Sequence, residues 1–456
     1  MTQPSTLESL STYISGALAN PLPPEVNEKT RFHILDTIAA MITGSRLKPG
    51  QAAINFIGSQ GGTAESAVLG SGLVTTAINA AMANGMLAHS NETDDSHAPS
   101  LTHPGCAVVP AALAVAERQQ ASGEALIRAV ALGYDVSSRV ARAMGGIDAR
   151  GWHGHATHTI GPMFGAAAAA AGLLGLDPHE VRYVLSYTAQ QASGITSWAR
   201  DSEHIEKSFV FGGNGARSGI TSALFVASGM TGEEDAFEGE NGFLEVFCPR
   251  REQWPEWVST LGSEFEISIT NIKKFTIGSP IQAAAEAMTQ LITESGLTSS
   301  AIQEVEVLLP PQGAKIVDGR HMPDVNLQYC MAAIVLDGGK LTFEATHTYE
   351  RLSDPAIVEL MAKVHLRGNP EFAEMERQRP ATVRIHTTDG SILERFVPAV
   401  RGTADHPMTR EEVLAKALDL VSSVYGETRG AQVVDAIMGL ESLANVVDLR
   451  PLLTDV

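Results

Sequence analysis

Apolar residues recur every three or four positions through the first half of the chain, the spacing that gathers them on one face of an α-helix. From Pro23-Pro24 to about Thr43, Ile34, Leu35, Ile38, Met41 and Ile42 share such a face, and proline suits the first helical turn. The same spacing predicts helices over 74–88, 107–117, 124–142, 164–174, 178–191 and 216–228. These segments are dense in Gly and Ala, so neighbouring helices can pack closely, and no fixed repeat period points to a solenoid. Near Trp254 the pattern changes. Phe265, Ile267 and Ile269 alternate with polar residues, as do Val305, Val307 and Leu309, while Val383, Ile385 and Thr387 precede Asp389-Gly390 and a second run at 392–397. Alternation around Asp-Gly predicts strands and a hairpin. Helices near 281–295 and 325–336 accompany them, Thr409 and Glu412 stand at capping-box spacing for another, and 430–444 supplies one more. The expected fold is mainly α with an α+β lid: a helical domain over 1–265, an α+β domain over 266–401, and C-terminal helices over 402–456 that complete the helical domain.

Composition narrows the function classes. With 456 residues, 44% hydrophobic and 18% charged, the chain is ordinary globular material and large enough to bury an active site. A net charge of −20 argues against nucleic acid or an anionic membrane surface as partner, since both require a basic footprint. The uncharged stretch 157–176 is mainly Ala and Gly with Pro162 inside it, which suits a buried helix better than a membrane span. The start, MTQPSTLESLSTYISG, does not read as a secretory signal, and Cys106, Cys248 and Cys330 form no CxxC pair. A reduced, cytoplasmic protein is expected.

The chemistry concentrates in two places. HSNETDDSHAPSLTHP, from His89 to Pro104, crowds His89, Glu92, Asp94, Asp95, His97 and His103 between Ala-rich segments, and GWHGHATHT adds His153, His155 and His158. Six of the fourteen histidines thus fall between 89 and 158, and imidazole is the side chain best suited to move protons near neutral pH. Asp94 and Asp95 also suit helix capping or loop bracing, and His153 and His158 suit bracing of the helix at Gly161. Histidines with Asp94 or Asp95 are possible metal ligands, but no HExxH and no Cys pair accompanies them, so no metal is expected.

Further strings join these: GYDVSSRVARAMG, HATHTIGPMFGAAAAAAGLLGL, EKSFVFGGNGARSGITSALFVASGMTG, FEGENGF, KKFTIGSPIQAAAEA and LQYCMAAIVLDGG. In this order, and over nearly the whole chain, the blocks resemble the 2-methylcitrate dehydratase (MmgE/PrpD) family, which includes cis-aconitate decarboxylase and iminodisuccinate epimerase. The resemblance implies a large helical domain with a small α+β lid, a homodimer without metal or organic cofactor, and a site in the cleft between the domains. It carries catalytic roles to His103, His155, Lys207, Lys273 and Tyr329, and substrate binding to Glu92, Asp94, Ser96 and Lys274.

That set suits a small polycarboxylate. Lysine ammonium groups hold its carboxylates, and removing a proton from the carbon beside one builds an enediolate that nearby cations stabilise. His103 and His155 would share the acid and base roles, with Tyr329 or Ser96 as a further donor. A dehydratase of the 2-methylcitrate type is the first reading, and an epimerase of an iminodisuccinate-like acid the alternative. Two departures bear on this. Glu92 stands where the family commonly has Asp, and Gly278 stands where the decarboxylase branch carries a histidine, which counts against decarboxylation. Arg200, Glu203 and His204 also make the stretch before Lys207 unusually charged. A metal-dependent helical enzyme and an inactive scaffold remain as rivals of other classes.

Overall fold

A computed structural model describes residues 5–146, 154–375 and 379–455 in two compact units. One comprises Met1–Ser90, Asp94–Thr270 and Leu420–Val456, the other Asn91–Thr93 and Asn271–Asp419. The first is helical and the second carries a mixed four-stranded sheet, so the fold is mainly α with a smaller α+β part. No helix among the described residues is long and apolar enough to cross a membrane.

The helical unit is organised by Pro24–Gly44, Ala77–Ala88, Gly105–Gln119, Gly123–Ala143, Thr157–Leu174 and Asn214–Ala227. Small side chains decide how they pack. A Cβ on Gly165 would lie 2.3 Å from the Gly133 carbonyl oxygen, so the helices Gly123–Ala143 and Thr157–Leu174 touch backbone to backbone there. Around this contact Val136, Val140, Ile160, Phe164, Ala167 and Ile220 are buried in one apolar cluster. Close packing of this kind leaves little freedom for any loop anchored to it.

In the second unit the strands run in the order Val364–Gly368, Ile302–Leu309, Ala381–Thr387, Ile392–Val397. The last two form the antiparallel hairpin predicted around Asp389-Gly390, with Gly390 at φ 88°. Ile302–Leu309 pairs parallel with Val364–Gly368, a strand the alternation pattern did not announce because only Val364 in it is buried. The helices Gln282–Ser295 and Leu327–Leu336 bury Ala284, Met288, Met331 and Ile334 with the sheet residues Val305, Val307, Val383 and Ile385.

Two expectations change. This unit extends beyond 401: Ile272 N–H donates to the Gly402 carbonyl (3.0 Å), Arg401 pairs with Glu412 (2.6 Å), and Phe343 N–H donates to Asp419 (3.2 Å). The expected strand around Phe265–Ile269 is a 3₁₀ turn over Glu266–Ile269, with Ile267 buried and Ile269 40% exposed. Alternation fails there because the polar residue between the apolar ones is pulled inward.

That residue, Glu266, is 5% exposed. Its carboxylate accepts from Arg139 (2.8 Å) and Arg142 (2.7 Å), and His97 Nε2 lies 2.9 Å from it. Its own N–H donates to Asp135 (2.7 Å), which also accepts from the Tyr13 hydroxyl (2.7 Å). Burial pushes the Glu266 carboxyl up, but His97, Arg139 and Arg142 outweigh it and hold it at about 2, below the ordinary 4.5. A depressed acid stabilises the fold fully above 4.5 and loses that contribution as pH falls towards 2. Glu266→Gln is therefore expected to cost about 3 kcal/mol at neutral pH, with the difference from wild type shrinking below pH 4.5. Urea midpoints measured across pH check this.

Candidate active site

The polar loop after Ala77–Ala88 folds back on the helical unit because its two adjacent carboxylates, Asp94 and Asp95, are both fully buried. A buried carboxylate must find donors. Asp95 accepts from Tyr134 Oη (2.5 Å), His33 Nδ1 (2.9 Å) and the Gly105 N–H (3.1 Å), so it braces two helices and caps a third at its first residue. Burial lowers His33 to about 4, which keeps its ring neutral and donating through Nδ1.

Asp94 faces imidazoles. His89 Nδ1 lies 2.7 Å from Asp94 Oδ2, and His103 Nδ1 lies 3.3 Å from the same oxygen. The His89 side chain is fully buried, whereas that of His103 is 16% exposed. His103 is thus the member of the trio that meets solvent, and a carboxylate at Nδ1 leaves Nε2 as the nitrogen free to exchange a proton.

Phe211 gathers the rest. It lies in a π-helical turn, Phe209–Gly213, a geometry often found at functional sites. The turn can lie against Ala77–Ala88 because both sides are glycine: a Cβ on Gly212 would fall 1.9 Å from the Gly85 carbonyl oxygen. On the Phe211 ring stack His89 (4.3 Å between centroids) and His158 (4.5 Å), with His103 at 5.5 Å and Trp198 edge-on at 4.6 Å. Lys207 sits in the short helix Ile205–Ser208, just before the turn. Its ammonium lies over Phe211 (5.3 Å) and Trp198 (5.8 Å), within cation–π range. Burial lowers His89 to about 4 and His158 well below its ordinary value, and Lys207 adds to both shifts. Neutral rings beside a positive charge, with one partly exposed imidazole 3.3 Å from a carboxylate, make an arrangement that can take a proton next to an anion.

Donor atoms of His89, Asp94 and Cys106 also lie within 4.8 Å of one another, the ligand types of a metal site. They are engaged among themselves and nearby: His89 with Asp94, and the Cys106 thiol with the His103 carbonyl (3.0 Å). Burial, with Asp94 and Asp95 adding to it, raises the Cys106 thiol, which keeps its proton.

Residues 8–255 match the MmgE/PrpD N-terminal domain and residues 275–440 the MmgE/PrpD C-terminal domain. The chain belongs to the MmgE/PrpD family. Among its curated relatives, cis-aconitate decarboxylase from Aspergillus terreus is 26% identical, covering 97% of this chain and 94% of that protein. Cis-aconitate decarboxylase-like protein oryM from Aspergillus oryzae is 26% identical over 98% and 96%, and the cis-aconitate decarboxylase of Homo sapiens 24% identical over 98% and 94%.

Of the residues that the MmgE/PrpD resemblance singled out, His103 and Lys207 both reach Phe211. His155 packs edge-on against Phe247 (5.3 Å), and the ring contacts among the described residues bring His158 to His103 instead (6.1 Å). His153 lies outside the described residues. Asp94, expected to bind substrate, faces imidazoles from a fully buried position, and Ser96 is half-buried in the same loop. Within the second unit Lys273 Nζ donates to the Glu92 carbonyl (2.8 Å) and lies 3.6 Å from its carboxylate, so the longer Glu92 side chain reaches a lysine. Lys274 stands between Glu286 (3.8 Å) and Glu412 (4.0 Å), which offset its charge. Tyr329 is fully buried, its hydroxyl donates to the Ala345 carbonyl, and burial raises it to about 12, so its proton is committed within the core. In the charged stretch before Lys207, Glu203 makes an exposed pair with Lys48, while His204 is buried against His89 (5.2 Å).

His33, Tyr134, Trp198 and Phe211 escaped the sequence reading. Nothing in their local pattern marks them beyond Gly212-Gly213 beside Phe211, a pair that permits a close backbone approach. Asp95→Ala strands three buried donors and is expected to cost about 3 kcal/mol, whereas Tyr134→Phe removes one donor and costs about 1 kcal/mol. Urea denaturation of the two variants tests that order.

Proposed function

We propose that this protein is a lyase or isomerase that uses its own side chains to remove a proton α to a carboxylate of a small polycarboxylic acid. The Asp94–His103 pair beside Lys207 carries this reading. His103 Nε2 takes the carbon-bound proton, the electron pair moves into the carboxylate as an enediolate, and the Lys207 ammonium stabilises the new charge in a partly dry site. Lys273, held by Glu92, is the proposed second cation, and Glu92 and Asp94 are proposed to act through Lys273 and His103. Departure of a β-hydroxyl with a proton, as water, completes a dehydration of the 2-methylcitrate type; return of the proton to the opposite face completes an epimerisation.

A decarboxylation is the second reading, favoured by relatives named cis-aconitate decarboxylase at 24–26% identity. Against it stands Gly278, where the resemblance puts a histidine in that branch. Crowding does not require the glycine: an added Cβ would meet nothing nearer than 3.8 Å, and its φ is −51°.

Purified enzyme given 2-methylcitrate is expected to build alkene absorbance, and given cis-aconitate to release little carbon dioxide. Deuterium entering the α-position of an aspartate-derived acid without net product would select epimerisation. No turnover or exchange with any polycarboxylate overturns the reading. On the accepted substrate, His103→Gln is expected to lower kcat/KM by about 100- to 10,000-fold. Lys207→Met is expected to lower it by about 100- to 1,000-fold. Gly278→His is expected to fold and to release more carbon dioxide from cis-aconitate than wild type; equal release shows that the missing side chain is not what limits decarboxylation.

A further inference from the structure

We propose that His89 is a positioning residue: by donating to Asp94 it limits how tightly that carboxylate holds a proton on His103, and so sets the basicity of the proposed base. This rests on the acid–base reading above and adds to it a residue that meets the proposed base across a shared carboxylate oxygen.

The geometry is specific. One oxygen, Asp94 Oδ2, lies 2.7 Å from His89 Nδ1 and 3.3 Å from His103 Nδ1, so the two imidazoles compete for the same negative charge. His89 cannot swing away. It ends the helix Ala77–Ala88 with its N–H on the Gly85 carbonyl (3.3 Å), and its ring lies flat on Phe211 at 4.3 Å and 11°. His204 covers it at 5.2 Å, and the Phe211 ring beneath it also carries His158. Burial lowers the His89 ring to about 4 against the opposing pull of Asp94, with Lys207 and His103 adding smaller shifts in the same direction as burial. Its full burial favours the neutral ring, which donates to Asp94 through Nδ1.

The sign of the effect follows. A hydrogen bond from a neutral donor spreads the Asp94 charge; without it, the carboxylate binds the His103 proton more firmly, and the basic form of His103 emerges only at higher pH. In His89→Phe the ring still stacks on Phe211 but donates nothing. The acidic limb of kcat/KM is expected to move up by about half to one pH unit, the equivalent of one lost hydrogen bond. In His89→Asn the amide nitrogen falls near the position of Nδ1, so the limb is expected to return to the wild-type position. His89→Gln places its amide near Nε2 instead and is expected to behave as the Phe variant; it replaces that variant if the latter does not fold.

NMR titration of the His103 ring in the same proteins reads the effect without any substrate and is expected to show the same upward movement. A wild type inactive on every acid sinks the functional reading while leaving this titration interpretable. Superimposable His103 titrations in wild type and both non-donating variants, or no recovery in His89→Asn, overturn the role of His89.

Discussion

Two neighbouring carboxylates removed from water are the constraint around which the helical unit is arranged. Asp94 and Asp95 are both fully buried, and an isolated buried carboxylate is far too costly to survive unless donors surround it. Asp95 draws two of its donors, His33 and Tyr134, from distant parts of the chain and a third from the first N–H of the following helix, while Asp94 takes its donor from His89 and lies 3.3 Å from His103 Nδ1. Each helix that supplies a donor must therefore hold its place for the hydrogen bond to form. The glycine contacts that bring the helices together are thus conditions for the loop's chemistry as much as for the core.

The division of labour between the two follows from their partners. Asp95 meets neutral donors on rigid elements and fixes the backbone; Asp94 meets imidazoles and fixes a protonation pattern. Phe211 extends this pattern by giving three imidazoles one apolar surface, and burial disfavours the charged forms of two of them, His89 and His158. The local backbone departs from the ordinary to achieve it, with a π-helical turn at Phe209–Gly213 and His204 at φ 61° just ahead of Lys207. Departures of this kind persist where surrounding packing over-determines them, as the Gly85–Gly212 contact does here.

On the proposed reading, dehydration and epimerisation share an enediolate and differ in what leaves or returns afterwards. In this chain the candidates for delivery are uneven: the Tyr329 proton is engaged by a carbonyl, Lys274 is flanked by two carboxylates, and Gly278 offers no side chain at all. Lys273 stands apart from these, its ammonium held by the Glu92 carbonyl (2.8 Å) and 3.6 Å from the Glu92 carboxylate. What this set of residues serves best is therefore proton removal and charge stabilisation rather than proton delivery.

Much of the architecture was legible without coordinates. Period-3.6 patterning located most of the helices from 24 to 227 but not Lys48–Gly58, Asp389-Gly390 located the hairpin, and the crowding of ionisable residues from 89 to 104 marked the loop whose carboxylates meet imidazoles, because each signal is written in neighbouring residues. The strand Val364–Gly368, with one buried side chain, left no such trace, and Ile267 sits in a turn because Arg139, Arg142 and His97 draw Glu266 inward. The same holds at the site. Sequence offered His155 and His158 on nearly equal terms, and only the tertiary structure set one ring on Phe247 and the other on Phe211. Which imidazole is neutral, and which carboxylate orients it, depends on water excluded by residues scores of positions away, and no local pattern carries that information.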